Sequence, residues 1–183
     1  MAIRTWMSWE GGVDLAAMTK PGLAQPNVMV HVARMVHTPI GSAPSGMVLW
    51  QPDPAAPPAL IGFVSSDEKL ARWFGSNVFA GTPFEKAPAL VGTIEISVAA
   101  EAVGARVTVG GMRFETRLSK LGTLALVHRA AGAHAPFATQ GLEAGAAQAT
   151  LSVDGKSVAI TVPPSPPGLA PAALFAPSGL YAR

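Results

Sequence analysis

A chain of 183 residues is long enough to bury a substantial core, and 1–183 reads as a single domain. Apolar residues make up 49% and charged residues only 13%, too little charge to cover a monomer, which points to a homo-oligomer with an apolar interface. The formal charge of +2 is scattered without a basic run, which argues against nucleic acid, and the lack of cysteine excludes disulfides, zinc–thiolate centres and cysteine nucleophiles.

Met1 to Glu10 shows no charged start followed by an apolar stretch, and no apolar run reaches the ~20 residues that span a bilayer. A soluble, cytoplasmic protein with no membrane partner is therefore expected. Ile3 to Trp9 suits a strand that Gly11-Gly12 ends. Val13 to Pro26, broken by Pro21 and Gly22, reads mostly as loop. Val28 to His37 is the strongest strand by composition. Strict alternation puts Val28, Val30, Val32 and Val36 on one face and Met29, His31, Ala33, Met35 and His37 on the other. The two histidines stand roughly 20 Å apart along a strand, too far to share one metal ion. Their methionine neighbours make the face a candidate pocket wall, because methionine suits adaptable apolar sites. A lone sheet histidine held by structural hydrogen bonds is the commoner outcome.

Thr38 to Ser45 reads as a turn region, and Gly46 to Gln51 as a short strand carrying Trp50. The proline-rich Pro52 to Pro58 then returns the chain stiffly to Leu60. Leu60 to Val64 is a buried strand, followed by the only convincing helix. Ser65 and Glu68 suggest a capping box, Leu70, Trp73 and Phe74 share a face, and Gly75 fits the position just past the end. The loop Gly75 to Ala89 reads either as a lid over a pocket or as a cover whose Phe79 and Phe84 plug the barrel end.

Gly92 to Val98 alternates as a half-buried strand. Ala105 to Leu118 forms the clearest hairpin: a two-residue turn at Gly110-Gly111 sets Val107 against Phe114 on the buried side and Arg106 against Glu115 on the exposed side. Thr123 to Arg129 is a strand on which Leu124, Leu126 and His128 share a face. Ala130 to Gly145, containing His134, reads as loop or poor helix. Ala149 to Val162 is a second hairpin, turning at Asp154-Gly155. The proline-rich 163–171 leads into an apolar C-terminal tail, so that 163–183 is expected to dock on the barrel or on a partner.

The fold expected is mainly β, a β-rich α+β chain. Nine to ten strands form an antiparallel barrel or two curved packed sheets, with one short covering helix. Gly155-Lys156-Ser157 lacks the first glycine of a P-loop, Ala176-Pro177-Ser178-Gly179 lacks that of a nucleophile elbow, and no G-x-G-x-x-G occurs. No cofactor, metal set or catalytic residue is assigned. The leading function is binding of a small, mostly apolar molecule, with His31, Trp50, His128, Met29 and Met35 as the candidate ligand-binding residues. One alternative is an enzyme acting on such a molecule with a histidine as acid or base. The other is a structural or interaction module with a filled core.

Overall fold

The computed structural model describes residues 5–132, 136–165 and 170–183. Its elements are β1 (Trp6–Ala17), β2 (Val28–Thr38), β3 (Gly41–Trp50), β4 (Leu60–Ser65), α1 (Glu68–Asn77), β5 (Ala89–Ala99), β6 (Ala102–Val109), β7 (Met112–Leu121), β8 (Ala125–Arg129), β9 (Ala138–Val153), β10 (Lys156–Val158) and β11 (Ala173–Ala182). The chain is mainly β, with one helix among the described residues. Pairing runs β9-β11-β1-β2-β3-β4-β5-β6-β7 and closes from β7 back to β9, a hydrogen-bonded ring of nine strands. The β4–β5 pair is parallel and bridged by α1, as a parallel crossover requires. The other ring pairs are antiparallel. β9 serves two neighbourhoods: its first half pairs with β11 and β8, its second with β7 and β10.

Every strand of the ring sends apolar side chains inward. Val13, Val28, Val48, Val64, Ile94, Val103, Phe114, Leu151 and Ala173 meet in one buried cluster, one from each strand. The interior is packed with branched aliphatic and aromatic groups. A second cluster lies on the outer face, where Leu70 and Phe74 of α1 cover Met47, Phe63, Ala33 and Val36, and Met7, Trp9 and Leu174 extend it. Strands β1 to β4 and β11 thus bury both faces, and for that reason their sequences alternate poorly.

Both hairpins have the registers read from the sequence. Val107 opposes Phe114 and Arg106 opposes Glu115. Phe114 is fully buried, and the Arg106 Nε donates to Glu115 at 2.8 Å. Asp154-Gly155 turns with Leu151 opposite Val158.

Several boundaries differ from expectation. Gly11-Gly12 does not end β1, which runs on to Ala17 through the stretch expected to be loop. Gly11 takes a φ of +61°, and there the strand reverses its faces: Met7 and Trp9 belong to the outer cluster, Val13 and Leu15 to the inner. At the same level the β2–β3 register shifts between Ala33 and Val36, and the β11–β9 register between Phe175 and Ser178. The face expected to carry Met29 through His37 is divided there. Met29, His31 and Ala33 stay on the outer side, and Val36 joins them in place of Met35 and His37. β3 begins at Gly41, inside the expected turn region, and β9 takes in 138–145 of the expected loop.

The helix is capped by Asp67, whose carboxylate accepts from the backbone N–H of Lys69 at 2.8 Å and Leu70 at 3.3 Å. Ser65 is buried in β4 against Ser45, 2.8 Å between hydroxyls, so it cannot cap as expected. Gly75 lies inside the helix, which continues to Asn77. A Cβ there would stand 2.4 Å from the Glu85 carbonyl oxygen, so glycine is what lets the following loop close on the helix. That loop packs Phe79 on Phe63 in the outer cluster, with ring centroids 4.9 Å apart. It covers a sheet face, and the barrel-end plug is not what forms. The C-terminal tail is itself a strand of the ring, inserted between β1 and β9.

Candidate functional site

The face reversal at Gly11 turns Asp14 outward, directly across from His31 in the β1–β2 register. Asp14 Oδ1 and His31 Nδ1 are 2.7 Å apart. An ionised carboxylate only accepts, so the imidazole donates from Nδ1. Burial pushes the His31 pKa down, but the charge and hydrogen bond of Asp14 outweigh it and hold the pKa above the ordinary histidine value.

Across β11 and β9 from this pair, Arg129 of β8 grips Glu143 of β9 in a two-pronged ion pair, Nη1–Oε1 2.6 Å and Nη2–Oε2 2.7 Å. Between the two pairs stands an aromatic group. Tyr181 stacks on Phe137 at 4.4 Å and tilts against Trp9 at 4.7 Å, and the Trp9 indole N–H donates to the Ala176 carbonyl at 3.1 Å. Burial raises the Tyr181 pKa well above that of a free phenol, the carboxylates of Asp14 and Glu143 add to this, and Arg129 offsets part of it. Tyr181 is therefore a neutral hydroxyl at physiological pH.

These groups line an open groove of about 530 Å³ on the outer face. Met29, Leu174, Ala16 and Phe137 give it apolar walls, and Ala24, Pro26, Pro163, Pro164 and Pro171 form its rim. Asp14, His31, Trp9 and Tyr181 also border a smaller inner cavity of about 40 Å³ beneath α1, walled by Met7, Met47, Phe63, Phe74 and Phe79. The inner cavity has room for a few waters at most. The Asp14–His31 pair therefore stands where the open groove meets the apolar space under the helix.

Of the residues singled out from sequence, the structure brings His31 and Met29 together in the groove wall. Trp50 lies elsewhere, packed against the ring interior with its ring edge-on to Phe114 at 6.2 Å. Met35 turns to the opposite face at the β2 bulge. His37 goes with it and meets Ser42 at 2.8 Å and Glu10 at 3.3 Å. His128 does share a face with Leu124 and Leu126, but that face is exposed; its neighbour Arg129 is the β8 residue that reaches the groove. His134 lies outside the described residues. Sequence reasoning missed Asp14, Arg129, Phe137, Glu143 and Tyr181. The alternation Val13-Asp14-Leu15 was a usable signal for the first.

Among the described residues no group of three His, Asp or Glu side chains is placed to hold a metal ion, and no helix is long and apolar enough to cross a membrane. Compared with known proteins, the chain matches no family model and no curated relative.

Proposed function

We propose that the protein binds a small, mostly apolar molecule in the outer groove and not inside the ring. The carrying observation is the groove itself: about 530 Å³ with apolar walls converging on a few polar groups, the size and character of small-molecule sites. The packed ring interior leaves that space to side chains. Isothermal titration of the full chain with naphthalene-sized apolar probes tests the reading. One saturable site is expected, weakened about tenfold or more by Met29→Arg, which places a charge on the groove wall. No saturable binding by any such probe refutes it.

The Asp14–His31 hydrogen bond favours a second reading, acid–base catalysis on the bound molecule. A carboxylate that orients an imidazole also raises its basicity, and His31 would move the proton at Nε2. Turnover that survives His31→Ala undiminished ends this reading. A structural or interaction module with a filled core is what remains if the groove takes up no probe.

Self-association is supported by Leu126, Leu142 and Leu180, exposed on the β8–β9–β11 face, with Leu126 directly opposite Leu142. A homo-oligomer joined through that face is expected. Light scattering that gives a monomer mass at micromolar concentration counts decisively against it.

A further inference from the structure

The hydrogen bond to Asp14 fixes more than the position of His31. With Nδ1 committed as a donor, the neutral imidazole has its lone pair on Nε2. Among the described residues Nε2 has no hydrogen-bond partner, and the side chain is 38% exposed where the groove and inner cavity meet. His31 Nε2 is thus an acceptor of raised basicity that opens on the groove without a partner among the described residues.

The charged groups around it narrow what that acceptor can meet. On β1, Asp14 is engaged by His31. On β8 and β9, Arg129 and Glu143 neutralise one another through two short hydrogen bonds. On β11, Tyr181 is an uncharged phenol. A ligand carrying a fixed anion therefore finds no free cation among these groups, and a fixed cation finds no free carboxylate. A neutral O–H finds an acceptor. Trp9, Phe137 and Tyr181 supply flat apolar surface beside it, suited to a ring.

We propose that the groove selects aromatic molecules bearing a phenolic hydroxyl, which donates to His31 Nε2. This deepens the groove reading and rests on it. Where the ligand is acidic enough, its O–H bond breaks and an Nε2–H bond forms. The imidazolium then stands between the Asp14 carboxylate and the ligand phenolate, and the complex keeps its net charge. Below the raised pKa of His31, Nε2 already carries a proton and the acceptor is lost.

The test is a matched pair of probes, 2-naphthol and 2-methoxynaphthalene, titrated calorimetrically into the full chain at about pH 8.5 and about pH 5, on either side of the histidine range. At the higher pH the naphthol should bind about tenfold or more tightly than its methyl ether, and at the lower pH the preference should shrink towards unity. His31→Leu should abolish the preference while leaving binding of the ether. Asp14→Asn can donate to Nδ1 and so move the proton to Nε2; it should also erase the preference, which loss of packing alone would not do. Equal binding of both probes by the native chain overturns this inference and leaves the groove reading standing. Binding of neither overturns both. A preference that persists in His31→Leu overturns the assignment to His31. The probe pair and the pH profile need no variant, so the proposal stays open to refutation even if a variant fails to fold.

Discussion

Breaking the Arg129–Glu143 pair should cost more from one side than from the other. Glu143 is 8% exposed and Arg129 25%, and two charge-assisted hydrogen bonds join them. Removing one partner of a buried pair typically costs about 3–5 kcal/mol, because the survivor is left desolvated and unpaired. Arg129→Ala strands the more buried carboxylate and should destabilise by about 3–4 kcal/mol. Glu143→Ala strands a guanidinium that keeps a quarter of its surface in water, and should cost about 2–3 kcal/mol. Replacing both, as Arg129→Met with Glu143→Leu, removes both desolvation penalties and should come within about 1 kcal/mol of the native chain. The assay is urea unfolding followed by circular dichroism, with ΔΔG taken from the midpoints at constant m. A double variant no more stable than the sum of the two single losses would refute the reasoning, since it would mean that the pair is not coupled. So would two single losses both below about 1 kcal/mol, the range of an exposed pair.

Three further outcomes are expected. The Thr116 hydroxyl is buried with no hydrogen-bond partner among the described residues, so Thr116→Val should stabilise by about 1 kcal/mol and raise Tm by about 2–4 °C; a lowered Tm in differential scanning calorimetry counts against it. Gly75→Ala gains up to about 1 kcal/mol of helix propensity, but its methyl would stand 2.4 Å from the Glu85 carbonyl oxygen, so net destabilisation is expected, and a higher unfolding midpoint sinks the close-approach argument. Because the folded-state pKa of His31 is raised, its pairing contributes stability that is full below the unfolded value of about 6.5 and is lost as pH rises through the higher folded value. Partial exposure of the imidazole holds that contribution under about 1 kcal/mol; Asp14→Asn should flatten this part of the urea-midpoint profile, and an unchanged profile removes the linkage.

Local register was legible in the sequence wherever a tight turn fixed it. The hairpins at Gly110-Gly111 and Asp154-Gly155 could be paired residue by residue because only one register sorts both faces. Ring closure was not legible in this way. It depends on β11 returning across the whole chain to lie between β1 and β9, and nothing in Ala173–Ala182 names those partners. The apolar character of that segment showed only that it must be buried somewhere.

The site was hidden by the same period-two rule that revealed the hairpins. Strict alternation along β2 groups His31 with Met35 and His37, and along β8 it singles out His128 over Arg129. One extra residue at the Ala33–Val36 bulge sends Met35 away from His31. On β8 the alternation held, but its apolar face turned out to be the solvated one, which leaves the charged neighbour facing the groove. The reversal at Gly11 does the converse for Asp14: it carries an acidic residue, in a stretch that Pro21 and Gly22 make read as loop, to a point opposite a histidine. The register shifts of β2 and β11 lie at the level of Gly11 on β1, where φ is positive, and the Asp14–His31 pair sits immediately beside them. There the strands exchange inner for outer faces, so polar side chains that would otherwise point into a packed interior are brought to the groove. A site made this way leaves no motif along the chain, because its members are joined by pairing across strands and not by spacing within one.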